Sequence, residues 1–141
     1  MNEEINRKPH RFILLDDDVV ALANAEKIIR KNNRRAEIIT FSAAKETIEY
    51  MHTEDFLRKD TDTIFLTDLH MPEMDGFALL DRMGDKFKAM RDRLHIFVLS
   101  AAAGPGEMKR LLSYSYVIGF VCKPFSNDKI GQIIDCIQCP L

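Results

Sequence analysis

Five short apolar runs recur along the chain and alternate with longer segments of helical periodicity. The runs cover residues 12–15, 36–41, 63–67, 95–99 and 117–122. Most of them are continuously apolar and do not alternate with polar residues, which is typical of strands in a parallel sheet covered on both faces. The pattern therefore predicts five buried parallel strands.

The segments between the runs show the spacing of amphipathic helices. Apolar residues recur every three or four positions in two of them, at Leu80, Met83, Phe87 and Met90 and at Ile130, Ile133, Ile134 and Ile137. An acidic residue that can cap a helix precedes residues 19–31, and the last helix is predicted to begin after Ser126 or Asn127. Each predicted helix has one apolar face for the sheet.

Strand and helix alternate five times, which indicates an α/β domain. With right-handed crossovers this is a doubly wound, five-stranded parallel sheet, and we expect the flavodoxin-like order 2-1-3-4-5. A chain of 141 residues has room for one such domain. We assign residues 11–141 to it, residues 1–10 to a flexible polar tail and residues 53–62 to a surface connection.

Composition excludes several classes of protein. Apolar residues make up 46% and charged residues 30% of the chain, a globular mixture. The 20 basic and 22 acidic residues leave a net charge of −2, without the basic excess that nucleic-acid binders show. No apolar run approaches the roughly 20 residues that span a bilayer, and the first ten residues lack the apolar core of a secretion signal. We expect a cytoplasmic protein that binds neither nucleic acid nor membrane.

Two local clusters have a chemical and a structural interpretation. Cys136 and Cys139 form a C-x-x-C pair, but they follow a helical segment, where the helix dipole disfavours a thiolate. Together with Cys122 they are odd in number and suit a reducing compartment. A basic cluster could contact nucleic acid, but it also fits a solvated helix C-terminus, which we favour. This cluster consists of Arg30, Lys31, Arg34 and Arg35.

Polar residues close four of the five apolar runs. Acidic residues close the first and third, Ser100 closes the fourth and Lys123 follows the fifth. Ligands of open parallel sheets bind at the carboxyl ends of the strands, so neighbouring first and third strands bring Asp16, Asp17 and Asp68 together. Two or three carboxylates completed by water suit octahedral Mg²⁺. An acidic triplet alone fits a solvated turn with a helix cap better than a metal site, but the four strand ends jointly describe a site for an anion and a metal.

The chain resembles the receiver domain of two-component response regulators. The matching stretches are ILLDDD, LTDLHMPEMDGF, VLSAA and CKPF, which occur in the order and on the elements that the family requires. The resemblance covers residues 11–138.

The resemblance implies a role for each matched residue of the site. Asp68 corresponds to the phosphoacceptor, whose carboxylate attacks a phosphohistidine. Mg²⁺ would be ligated directly by Asp17 and Asp68, through water by Asp16 and by the main-chain carbonyl of His70. Lys123 would pair with the phosphoryl oxygens, and the peptide bond between it and the following proline is expected to be cis.

Further matches concern the response to phosphorylation and access to the site. Ser100 corresponds to the switch hydroxyl and Phe120 to the switch aromatic residue, although a buried Phe also fits a purely structural role. The small side chain of Ala101 leaves the phosphoryl group open to water or to a phosphatase. Gly76 is expected to supply a permissive backbone in the turn after Asp68. The side chain of His70 faces either the phosphoryl group or solvent.

The function implied is that of a stand-alone receiver. It accepts a phosphoryl group from a sensor histidine kinase or a histidine phosphotransfer domain and signals to a downstream protein. We expect a switch with slow autodephosphorylation and not a turnover enzyme. A haloacid-dehalogenase-type phosphohydrolase also uses an Asp nucleophile, but it carries a second acid two residues later, where this chain has His70. A pseudo-receiver that is never phosphorylated is disfavoured by the complete set of acid, hydroxyl and lysine.

Overall fold

The computed structural model describes residues 10–101 and 104–138. Residues 1–9 of the predicted tail and Cys139 of the C-x-x-C pair lie outside this part of the chain. Five strands alternate with six helices, in the order β1 (His10–Leu15), α1 (Val19–Asn32), β2 (Glu37–Phe41), α2 (Ala44–Met51), β3 (Asp62–Asp68), α3 (Gly76–Arg82), α4 (Gly84–Ala89), β4 (Leu94–Ser100), α5 (Pro105–Leu112), β5 (Val117–Cys122) and α6 (Asn127–Gln138). The first strand thus starts at His10, one residue before the predicted domain boundary.

The strands form one parallel sheet in the order β2-β1-β3-β4-β5, which confirms the predicted fold. The register aligns the carboxyl ends of neighbouring strands, since Leu15 pairs with Thr67, Asp68 with Leu99 and Ser100 with Cys122. The polar residues that end or follow these strands therefore meet at one edge of the sheet.

Helices cover both faces of the sheet, which explains why the strand sequences are continuously apolar. Alternate strand residues such as Ile13, Phe65 and Ile96 pack on the side of α2 to α5. Their neighbours, including Phe12 and Ile64, pack on the side of α1 and α6. Both faces are thus buried, as a parallel sheet of this kind requires.

The predicted continuous helical periodicity over residues 80–90 is divided between two short helices. The break lies at Met83, whose backbone leaves the α-helical region with φ −98° and ψ 7°. Gly84 follows, and a Cβ at this position would lie 3.2 Å from the hydroxyl oxygen of Tyr116. The side chains of Met83 and Phe87 are nevertheless buried, so the apolar spacing is preserved across the break.

The connection over residues 53–62 is anchored in the core. This corrects the prediction that it lies on the surface. Phe56 is fully buried and so is Arg11 of β1. The Arg11 guanidinium donates to the main-chain oxygens of Asp55 and Phe56, both at 2.7 Å, and to the hydroxyl of Tyr50 at 3.0 Å. A buried arginine thus holds the connection against the sheet.

Candidate functional site

Three carboxylates meet at the carboxyl end of β1 and β3. One oxygen from each of Asp16, Asp17 and Asp68 lies within 4.8 Å of the other two. Asp16 and Asp68 are buried, whereas Asp17 is exposed. Asp18 has a different role, because its side chain accepts hydrogen bonds from the first turn of α1 and caps the helix. The acidic run therefore divides into a cluster and a cap.

The backbone holds Asp16 in this position. Its main-chain nitrogen donates to the carbonyl oxygen of Phe41 at 3.1 Å, and its side chain accepts from the nitrogen of Asp18 at 2.9 Å. Hydrogen bonds to the neighbouring strand and to the start of α1 thus orient the carboxylate toward Asp68.

Lys123, which follows β5 at the same edge of the sheet, supplies a positive charge to the cluster. Its ammonium nitrogen lies 2.7 Å from Asp16 Oδ2 and 3.2 Å from Asp68 Oδ2. The main-chain nitrogen of Lys123 donates to the carbonyl oxygen of Ser100 at 2.9 Å, which ties the residue to the end of β4. The peptide bond between Lys123 and Pro124 is cis, as expected.

Burial and charge act in opposite directions on the groups of this cluster. Burial raises the pKa of the Asp68 carboxyl, Lys123 opposes that rise, and the negative charge of Asp16 adds to it. Burial alone would lower the pKa of Lys123, but hydrogen bonds and charges from Asp16 and Asp68 outweigh burial and raise it. The site therefore keeps its ammonium charged beside a carboxylate that resists ionisation and would gain from a cation.

The two residues matched to the switch lie on adjacent strands. Ser100 is fully buried at the end of β4, and the next residue, Ala101, is exposed. Phe120 is partly buried on β5, paired in register with Val98, and packs against the core on the side of α2 to α5. A ring in this position is close to the surface while still contacting the core.

Gly76 is needed for space and not for conformational freedom, which corrects the expectation of a permissive backbone. Its φ is not positive. A Cβ at this position would lie 2.9 Å from the main-chain oxygen of Asp68 and 3.0 Å from Cα of Leu69. The nitrogen of Gly76 also donates to the carbonyl oxygen of Leu69 at 2.7 Å. The start of α3 thus rests directly on the backbone that carries Asp68.

The side chain of His70 is directed toward Glu107, a residue that the sequence did not single out. The main-chain nitrogen of His70 donates to Asp68 Oδ1 at 3.4 Å, while Nε2 of its ring lies 3.4 Å from Glu107 Oε2. Glu107 stands three residues after Gly104, the residue that caps α5, and this spacing is typical of a capping box. The spacing could have identified Glu107 in the sequence as a capping residue of α5. It could not have indicated the contact with His70.

A cavity of about 500 Å³ opens beside the cluster, between α1 and the segment that follows β5. Asp16 and Lys123 contribute to its wall, which is otherwise largely apolar and includes Leu22 and Phe125. Val20 also lines it and is 75% exposed. The carboxylate cluster therefore borders an apolar depression.

Comparison with known proteins gives one family. The sequence profile described as "Response regulator receiver domain" matches residues 12–135. The two-component response regulator ARR11 of Arabidopsis thaliana is 35% identical over 74 residues, which is 52% of this chain and 13% of the plant protein. The chain thus spans a small part of the length of that relative.

Solved structures show the same fold. A two-component response regulator from Cytophaga hutchinsonii superposes with a TM-score of 0.80 at 23% identity, covering 94% of this chain and all of the other. A response regulator receiver protein from Dyadobacter fermentans DSM 18053 gives a TM-score of 0.77 at 24% identity, covering 89% of this chain and 95% of the other.

Among the residues that the structure describes, no helix is both long enough and apolar enough to cross a membrane.

Proposed function

The chain belongs to the response regulator receiver domain family. We propose that Asp68 is its phosphoacceptor and that the domain is a Mg²⁺-dependent switch. The observation that carries the proposal is the approach of the Lys123 ammonium to within 3.2 Å of Asp68 Oδ2, beside two further carboxylates. A nucleophilic carboxylate with an adjacent fixed cation is the arrangement that phosphoryl transfer to an acid requires.

In the proposed reaction, an oxygen of the Asp68 carboxylate attacks the phosphorus of a phosphohistidine. The phosphorus–oxygen bond forms as the phosphorus–nitrogen bond breaks, and the histidine nitrogen keeps the electron pair of the broken bond. The phosphoryl oxygens then lie within reach of Lys123, whose ammonium already pairs with Asp68 Oδ2. The main-chain N–H of His70, 3.4 Å from Asp68 Oδ1, is a second donor beside the reacting carboxylate.

The residues around Asp68 fit a hard divalent cation. Asp16, Asp17 and Asp68 present three carboxylate oxygens within 4.8 Å of one another, and the main-chain carbonyl of His70 is assigned as a further ligand. A Mg²⁺ ion held there would supply positive charge to neutralise the transferring phosphoryl group and to align it with the attacking oxygen of Asp68. We assign Asp17 and Asp68 to direct coordination and Asp16 to coordination through water.

We infer that the signal leaves the site through Ser100 and Phe120. The Ser100 hydroxyl would donate to a phosphoryl oxygen on Asp68, and the partly buried ring of Phe120 would then turn inward. The phosphodonor would be a sensor histidine kinase or a histidine phosphotransfer domain, and the recipient of the signal a downstream protein. In this role the domain is a switch without turnover, and hydrolysis of the phosphorylated Asp68 by water, which the small side chain of Ala101 admits, resets it.

Phosphorylation with acetyl phosphate tests the proposal. Incubation of the full chain with this donor and Mg²⁺ should add one phosphoryl group, detected by intact mass and located at Asp68 by peptide mapping. Asp68→Asn should abolish the added mass. Asp75→Asn is the matched control, since Asp75 lies on the following loop and caps α3 by accepting from the nitrogen of Ala78. Undiminished phosphorylation of Asp68→Asn would refute the assignment.

A further inference from the structure

α5 buries little apolar surface, since it contacts the core chiefly through Met108 and Leu111. Of its eight residues, Leu111 is the one that is buried. A helix with so little buried apolar surface contributes little to its own docking and belongs to the low-stability part of a fold. We therefore expect polar contacts at the two ends of α5 to contribute strongly to keeping the helix docked on the domain.

The C-terminal end of α5 is held by α3. Arg110 Nη2 lies 3.2 Å from Asp81 Oδ2, and the guanidinium carbon of Arg110 lies 4.1 Å from the ring centroid of Phe77. The hydroxyl of Tyr114, just past the helix, donates to Asp81 Oδ1 at 2.6 Å. These three contacts fix one end of α5 to a helix that itself rests on the backbone of Asp68.

The side chain of Glu107 holds the N-terminal end of α5 through two contacts. Oε1 of Glu107 accepts from the nitrogen of Gly104 at 3.2 Å, which caps the helix. Its other oxygen, Oε2, lies 3.4 Å from Nε2 of His70. A single carboxylate thus joins the first turn of α5 to the residue two positions after Asp68.

We propose that His70 is a positioning residue: through Glu107 it restrains the first turn of α5, and phosphorylation of Asp68 releases that restraint. The release rests on the proposed function, whereas the restraint does not. A phosphoryl group adds between one and two negative charges and three acceptor oxygens beside the backbone of His70. These oxygens compete with Glu107 for the imidazole N–H, and their charge repels the Glu107 carboxylate.

Hydrogen exchange of the α5 amides tests the restraint in the unphosphorylated chain. His70→Ala should raise the exchange rates of residues 108–112 about two- to fivefold, a small factor because both partners are partly exposed, His70 by 58% and Glu107 by 34%. His70→Lys should return the rates to those of the unmodified chain, because an ammonium also reaches the carboxylate. His52→Ala is the matched control, since this exposed histidine contacts Ile48 on α2.

A double-mutant cycle separates the contact from the capping role of Glu107. Glu107→Ala removes both the cap and the contact, so His70→Ala should cause no further increase in that background. The proposed restraint is refuted if His70→Ala leaves the exchange rates of the α5 amides unchanged or if His70→Lys gives the same rates as His70→Ala. It is also refuted if the double variant shows the product of the two single-variant increases in exchange rate.

The release is tested in the chain treated with Mg²⁺ and acetyl phosphate, after intact mass has shown the phosphoryl group at Asp68. Exchange in α5 should then rise to the level of His70→Ala, and unchanged exchange in the phosphorylated chain would refute the release. If the mass shows no phosphorylation, the proposed function fails and the release fails with it. The restraint is judged separately, by the measurements on the unphosphorylated chain.

Discussion

The ammonium nitrogen of Lys123 lies 2.7 Å from Asp16, nearer than its 3.2 Å separation from Asp68. Asp16 and Lys123 follow β1 and β5, strands that are separated in the sheet by β3 and β4. The ion pair thus reaches across the carboxyl edge of the sheet, and Asp68, at the end of β3, lies between the two strands that carry it. Lys123 therefore stabilises the fold by neutralising two buried carboxylates, in addition to its proposed contact with a phosphoryl group.

Replacing Lys123 with methionine should lower the free energy of unfolding at pH 7 by about 2 kcal/mol, because it leaves two buried carboxylates without their cation. The loss is smaller than for a fully buried pair, since the Lys123 side chain is 23% exposed. Urea denaturation measures the change. Lys27→Met is the control: Lys27 is exposed and has no ion pair among the described residues, so its replacement should change stability by less than about 0.5 kcal/mol.

Asp68→Asn should stabilise the chain when divalent cations are removed by a chelator, and the gain should grow with pH. The folded-state pKa of Asp68 is raised, chiefly by burial, above the ordinary 3.8. Because the folded state binds this proton more tightly than the unfolded state does, protonated Asp68 contributes to the free energy of unfolding. This contribution is fully present below pH 3.8 and is lost as the pH rises through the folded-state pKa. Denaturation of both variants from pH 3 to 8 measures this, and a gain that shrinks with rising pH would contradict the assigned shift.

Mg²⁺ should raise the melting temperature of the unmodified chain by a few degrees at about ten times its dissociation constant. Asp17→Asn should remove most of this shift, because Asp17 contributes one of the three clustered oxygens. It should cost little stability without metal, since Asp17 is exposed. Glu73→Gln removes an exposed acid from the neighbouring loop and should preserve the shift. Equal shifts in the two variants would count against the cluster as the metal site.

Gly76→Ala should destabilise the fold by about 2 kcal/mol, because the added methyl group meets the backbone of Asp68 and Leu69 at 2.9 and 3.0 Å. It should also slow phosphorylation by acetyl phosphate, since the backbone that must move carries Asp68. Gly131→Ala in α6 is the matched control. Its Cβ would have nothing within 4 Å, so this substitution should stabilise the helix by about 0.5–1 kcal/mol.

Arg11→Met should cost about 3 kcal/mol of unfolding free energy, because it leaves buried acceptors without a donor. These are the main-chain oxygens of Asp55 and Phe56 and the side-chain oxygen of Thr63, which accepts from Nε at 2.9 Å. Proteolysis within residues 53–61 should become faster as the connection loosens. Arg91→Met is the control, since Arg91 is exposed, and it should leave both measurements nearly unchanged.

The positions of the strands and the ends at which polar residues cluster were determined by the sequence alone. Continuous apolar runs occur where a strand is buried on both faces, and this signal is local to each run. Because parallel strands place their carboxyl ends at one edge, the order of the strands was enough to bring Asp16, Asp17 and Asp68 together. The family motifs added the assignment of Lys123 and the cis peptide bond that follows it.

Only the tertiary structure decided how these residues contact one another and their surroundings. The pairing of Lys123 with Asp16, the packing of Tyr116 at the break beside Met83 and the burial of Arg11 depend on residues that are distant in the chain. The close approach of Gly76 to Asp68 depends on how α3 folds back on the end of β3. The contact between His70 and Glu107 depends likewise on how α5 is placed over the loop after β3. Periodicity reports which face of an element is buried, but such distances are set by the packing of whole elements, which no local pattern encodes.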